Sequence, residues 1–158
     1  MFEPSCEKMF IPCSYGYRPG KGAVAAINKV KSLCQDHQNA YLLRLDIDDY
    51  FNHINHERLE RLVRGITQDT EVIRLIMLCI KMGAVTKNLT WHDSTEGLHQ
   101  GAVLSPCLAN LYLHSFDLFV TGKAKQYVRY ADDFVIICPS REQAETLLSQ
   151  TRTFLIKQ

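Results

Sequence analysis

Asp132 and Asp133 stand side by side between two short apolar runs, with Tyr127, Val128 and Tyr130 before them and Phe134 to Ile137 after them. Runs of this length and residue type read as strands, so the segment is expected to be a hairpin with both acids at its tip. Adjacent carboxylates repel one another, and no basic side chain directly flanks these two. In apolar surroundings such a pair is costly unless a cation occupies it. Tyr41-Leu42-Leu43-Arg44-Leu45 reads as a buried strand, and it too runs into an acid, Asp46, followed by Ile47. Hard oxygen ligands at the ends of separate strands are what a two-Mg²⁺ site needs. Each acid alone is weak evidence, because an Asp-Asp pair in a turn is ordinary solvated turn chemistry.

The rest of the chain alternates. Residues 1–22 are punctuated by Pro4, Pro12, Gly16, Pro19, Gly20 and Gly22 and read as irregular. Apolar residues at helical spacing predict helices over 23–36, 56–65 and 70–82, and Val85–His92 reads as a strand or hairpin arm. Ser105-Pro106 fits an N-cap and first helical position for a helix to about Phe119. Ser140 and Gln143 fit a capping box for a last helix. The fold class expected is α+β, an antiparallel sheet with helices packed on one face.

Composition limits the setting more than the chemistry. The 158 residues fit one domain, 46% of them hydrophobic, with no apolar run long enough to cross a membrane. Six scattered cysteines show no metal-ligand spacing and read as reduced thiols, so the expected location is cytoplasmic and away from membranes. His53, His56, His99 and His114 read as surface or helix-cap residues. The net charge of +1 is low for a protein that holds a polyanion.

Five blocks occur in order: Ser14-Tyr15-Gly16-Tyr17-Arg18-Pro19-Gly20, Asp46-Ile47-Asp48-Asp49-Tyr50-Phe51, Gln100-Gly101, Leu104 to His114, and Tyr130-Ala131-Asp132-Asp133. Together they closely resemble the blocks of group II intron-like bacterial reverse transcriptases. The resemblance implies a palm sheet with partial fingers, and an RNA-directed DNA polymerase that transfers dNTPs to a primer 3′-hydroxyl. Asp46, Asp132 and Asp133 are the implied catalytic acids. They and the Ile47 carbonyl are the implied ligands of two Mg²⁺ ions, with Mn²⁺ as substitute. Phe51 matches the bulky residue under the incoming sugar, which selects dNTP over rNTP. Gln100 matches a nucleotide contact, and Asp49 and Tyr50 would turn backbone N–H groups toward the triphosphate. Arg18 and Lys21 are candidates for template or primer phosphates. The implied partners are an RNA template, a DNA primer and dNTPs.

Residues 41–54 and 101–158 correspond to the palm, and 1–40 and 55–100 to the fingers and their connection. His99 stands where the family usually has Pro, and positions 48 and 49 are both acidic. The earlier fingers block and the thumb have no counterpart here. That suggests a second reading, an incompetent fragment that self-associates as a homodimer through exposed sheet edge or binds nucleic acid without catalysis. A nucleotidyl cyclase would need a Gly-Gly-Asp/Glu-Glu-Phe turn, which is not found.

Overall fold

The computed structural model describes residues 2–37, 40–81, 84–85, 91–92, 96–99 and 101–157, with backbone alone at 84–85 and 91–92. In chain order the elements are α1 (Glu3–Glu7), α2 (Ala23–Asp36), β1 (Tyr41–Leu45), a 3₁₀ turn (Tyr50–His53), α3 (His56–Ile66), α4 (Thr70–Lys81), β2 (Ala84–Val85), β3 (Trp91–His92), α5 (Ser105–Thr121), β4 (Tyr127–Tyr130), β5 (Asp133–Cys138) and α6 (Arg141–Ile156). They divide into two compact units, Met1–Met9 with Asp49–Tyr112, and Phe10–Asp48 with Leu113–Gln158. α5 contributes residues to both. No helix among the described residues is long and apolar enough to cross a membrane.

The second unit is built on an antiparallel sheet in the order β1-β5-β4. Its register pairs Leu45 with Phe134 on one side of β5 and Tyr130 with Asp133 on the other. Opposed residues share a face, so Tyr127, Arg129, Phe134 and Ile136 point one way and Val128, Val135 and Arg44 the other. The first face is covered by the second half of α5 and by α6. Phe116 there meets Phe134 at 5.0 Å and Tyr127 at 6.4 Å, both edge to face, and Phe119 stacks on Phe154 at 4.4 Å. These aromatic contacts add to the area that they bury and fix α5 against β5. The opposite face is approached by α2. A cavity of about 270 Å³ remains there, lined by Ala26, Ile27, Val30, Val128 and Val135 among others.

Three expectations change here. β1 is not buried but is the edge of the sheet, and Tyr41 and Leu42 are about half exposed, because nothing pairs with its outer side among the described residues. α2 forms over the predicted span, yet only Ala26 of it is buried, and Val24 and Ile27 are exposed. The stretch read as irregular contains α1, which Pro4 tolerates because it sits in the first turn, where a backbone N–H has no helical partner.

The first unit is mainly helical. α3 and α4 pack through Leu59, Val63, Ile73, Ile76 and Ile80, all buried. Asn55 caps α3 by accepting from the Arg58 N–H at 2.9 Å, and Asp69 caps α4 by accepting from Glu71 and Val72. β2 and β3 pair as a hairpin, and the residues between them lie outside the described ones. The capping box on α6 is half formed. Ser140 Oγ accepts from the Gln143 N–H at 3.2 Å, while Gln143 Oε1 has no hydrogen-bond partner among the described residues.

Candidate active site

β4 and β5 join through the two residues Ala131 and Asp132, since Tyr130 pairs directly with Asp133. Ala131 has φ 56°, a conformation that costs a residue with a Cβ and persists only when its surroundings enforce it. Here they do. The loop at Cys13–Gly16 lies along β4, with the Arg129 N–H donating to Cys13 O and the Tyr15 N–H donating to Arg129 O. Gly16 is pressed against the turn so closely that a Cβ there would stand 2.4 Å from the Ala131 nitrogen. Only glycine fits at that approach.

Beneath the turn lies a buried polar cluster. Arg129 and Asp117 are fully buried and paired bidentately, with Nε to Oδ1 at 2.7 Å and Nη2 to Oδ2 at 2.6 Å. Nη2 also donates to Ser14 Oγ at 2.9 Å, Nη1 donates to the Ala131 carbonyl at 2.8 Å, and the Tyr127 hydroxyl donates to Asp117 Oδ1 at 2.8 Å. Burial, with the Asp117 charge second, raises the Tyr127 pKa well above that of an ordinary phenol, so this hydroxyl stays a donor. None of this cluster was singled out from the sequence for a role. The available signal was two opposite charges inside otherwise apolar elements, which are rarely buried unless paired.

The β1–β5 register extended by one step brings Asp46 opposite Asp133 at the same end of the sheet. Asp46 is exposed, and Asp132 and Asp133 are half exposed. Asp46 feels both, because its pKa is raised, first by partial desolvation and then by the charges of Asp132 and Asp133, with Arg44 opposing them. All three predicted acids therefore belong to one electrostatic neighbourhood. Arg44 supplies the cation that was not anticipated: its Nη2 lies 3.2 Å from Asp133 Oδ1, with both side chains well exposed. An ion pair that open contributes little. Ile47 follows Asp46 as the chain leaves β1, half-buried. The donors are hard oxygens, the kind that Mg²⁺ takes. Among the described residues, however, no three His, Cys, Asp or Glu side chains converge closely enough to hold a metal as they stand.

The residues expected to contact the nucleotide belong to the first unit. Asp49 opens the 3₁₀ turn at φ 49°, and its carboxylate accepts from Asn52 Nδ2 at 2.7 Å. Tyr50 is buried, and its hydroxyl donates to the Ala109 carbonyl at 2.7 Å, so its side chain is structural. Phe51 is half-buried edge-on to Tyr50 at 5.7 Å, and its carbonyl accepts from the Leu98 N–H at 2.7 Å. The Gly97–Leu98 segment is thus held against Phe51, with Gly97 at φ 87° and a Cβ there meeting Asn52 at 3.0 Å. Gln100 lies outside the described residues.

Two loop cations and one histidine are placed differently from the expectation. Arg18 is buried and donates to the carbonyls of Ile11, Ser14 and Phe10, while Lys21 Nζ donates to those of Pro12 and Ser14. Arg18 thus satisfies backbone acceptors of its own loop instead of facing solvent, and the half-buried Lys21 bonds to carbonyls of the same loop. His56, read as a surface or helix-cap residue, is buried at the first position of α3, with Nε2 2.7 Å from the Gly97 carbonyl.

The sequence matches the model of the family "Reverse transcriptase (RNA-dependent DNA polymerase)" over residues 2–158. It is 29% identical to protein YkfC of Escherichia coli K12, over 97% of this chain and 50% of that one. It is 32% identical to the group II intron-encoded protein LtrA of Lactococcus lactis subsp. cremoris, over 76% of this chain and 20% of that one. The chain thus spans half or less of the length of these relatives. Among solved structures, telomerase from Candida albicans in complex with the TWJ fragment of telomeric RNA superposes with a TM-score of 0.68 at 11% identity, covering 94% of this chain and 31% of that one. That likeness concerns the fold, and it agrees with the mixed sheet-and-helix architecture seen here. With the acid-tipped hairpin, the family match over almost every residue and the intron-encoded relatives in agreement, the chain belongs to the reverse transcriptase family, of the group II intron-like kind.

Proposed function

We propose that this chain is the catalytic palm of an RNA-directed DNA polymerase, with residues 41–54 and 101–158 as palm and the remainder as partial fingers. The observation that carries this reading is the delivery of Asp46, Asp132 and Asp133 to one end of one sheet, where Asp46 responds electrostatically to the other two. These carboxylates and the Ile47 carbonyl would hold two Mg²⁺ ions, or Mn²⁺, whose chemistry when bound is to activate the primer 3′-hydroxyl and neutralise charge on the departing pyrophosphate. The chain's own residues do the rest. Asp133 exchanges its contact with Arg44 for the catalytic arrangement. Phe51 fills the space beneath the sugar, Gln100 contacts the nucleotide, and the Asp49 and Tyr50 N–H groups face the triphosphate. The RNA template and DNA primer are held weakly, because the net charge is only +1 and Arg18 and Lys21 are occupied within their loop.

The test is extension of a DNA primer on an RNA template with dNTPs and Mg²⁺ at low salt. Extension is expected, and removal of the metal with EDTA is expected to abolish it. The exposed edge strand β1, with Tyr41 and Leu42 half exposed, favours a second reading, a self-associating module without catalysis. Dimers in light scattering at micromolar concentration, with no extension at saturating primer-template, would establish that one instead.

Phe51→Ala is expected to raise the use of rNTP relative to dNTP. A hydroxyl added against a hydrophobic wall is discriminated by about 10²-fold, and the change should be of that order. Single-nucleotide incorporation with each nucleotide checks it. Unchanged rNTP rejection would take Phe51 out of the sugar-selecting role.

A further inference from the structure

We propose that Arg129 is the positioning residue of the acid-bearing turn, setting the direction of the Asp132 and Asp133 carboxylates from beneath; this rests on the active-site reading above. In a two-residue β-turn the chief remaining freedom is rotation of the central peptide, which separates one turn type from another. Here that peptide joins Ala131 to Asp132, and its carbonyl is held by Arg129 Nη1 at 2.8 Å. A flip of the peptide would break this bond and change ψ of Ala131 and φ of Asp132, the torsions that set the backbone carrying the Asp132 side chain.

The guanidinium is itself immobilised. Asp117 takes Nε and Nη2 in a bidentate pair, Ser14 Oγ takes Nη2 again, and the whole group is fully buried. A planar group with donors at fixed angles transmits position in a way that a lysine ammonium on a flexible stem does not. The chain also grips Arg129 by its backbone, through Cys13 O and the Tyr15 N–H. Gly16 then closes on Ala131 from the same loop. The Tyr15-Gly16 loop, α5 and the hairpin therefore meet at one guanidinium, whose fourth contact is the turn that carries two of the three acids.

The experiment uses the whole chain and the variants Arg129→Lys, Ser14→Ala and Asp132→Asn. Backbone amide resonances of Ala131, Asp132 and Asp133 report the turn without metal, and Mn²⁺ binding by electron paramagnetic resonance reports the acids. In Arg129→Lys the three turn amides are expected to shift or broaden while those of α6 stay in place. Mn²⁺ affinity should fall roughly 10- to 100-fold, as for loss of a partner that orients a ligand. Ser14→Ala, which leaves the ion pair intact, should show the same changes on a smaller scale, with the melting temperature lowered by only a few degrees. It decides the matter if Arg129→Lys fails to fold. Turn amides left at wild-type positions in the folded variants would overturn the proposal. Equal Mn²⁺ binding by wild type and Asp132→Asn would instead sink the metal-site reading, and the amide shifts would still decide the role of Arg129.

Discussion

Asp132→Asn is expected to leave the fold intact and to remove RNA-templated primer extension. The side chain is half exposed at the tip of a hairpin, so an amide of nearly the same shape fits without repacking. The charge and a hard oxygen donor are lost, however. Loss of a partner that merely orients a metal ligand costs about 10- to 100-fold, and loss of a ligand, the role proposed for Asp132, should exceed that. A second readout ties the effect to the cluster. Asp46 has a raised pKa, through desolvation first and then through the charges of Asp132 and Asp133. Removing one of those charges should lower it toward the ordinary carboxylate value, while desolvation and Asp133 keep it somewhat above. The sign for stability follows from linkage. A carboxylate with a raised folded pKa destabilises the fold above that pKa, and the penalty is relieved as pH falls through it. At neutral pH Asp132→Asn should therefore melt no lower than wild type. Primer extension, a ¹³C titration of the Asp46 carboxyl and thermal melting check the three parts, and equal extension by both proteins would remove Asp132 from the site.

The parts of this architecture that were legible in the sequence are those set by local pattern. α2, α3 and α4 begin and end close to where apolar periodicity places them, because a 3.6-residue repeat is written in consecutive residues. The hairpin is legible for the same reason, although only Asp132 lies in its two-residue turn and Asp133 opens β5. The burial of β1 was not, because an apolar run reads the same at the edge of a sheet as at its centre, and only the strand order tells them apart. Arg18 misled in a different way. A basic side chain in a Gly/Pro loop looks like a phosphate contact, but such a loop leaves carbonyls without ladder partners. Phe10, Ile11 and Ser14 take the guanidinium as their donor. The pairing of Arg129 with Asp117 depends on how α5 lies against β4, and no local repeat encodes it.

That pair should give the largest stability effect in the chain. Asp117→Ala is expected to cost about 3–5 kcal/mol, because it leaves the buried Arg129 charge without its carboxylate. Against a total of about 5–15 kcal/mol for a typical domain, this is a large share. The cost comes from the orphaned charge more than from the attraction lost, since burying both ions already carries a desolvation penalty nearly as large as their attraction. Tyr127 adds to it, as its buried hydroxyl loses Asp117 as acceptor. A double replacement, Asp117→Leu with Arg129→Met, should recover most of the loss because no buried charge remains. It would still lack the donor to the Ala131 carbonyl. The double variant should therefore be folded yet impaired in metal binding, which separates what the pair does for stability from what Arg129 does for the turn. Urea unfolding of wild type, single and double variants gives the first quantity, and Mn²⁺ titration the second. An Asp117→Ala penalty under about 1 kcal/mol would mean that the pair is solvated in solution, where exposed ion pairs contribute no more than that.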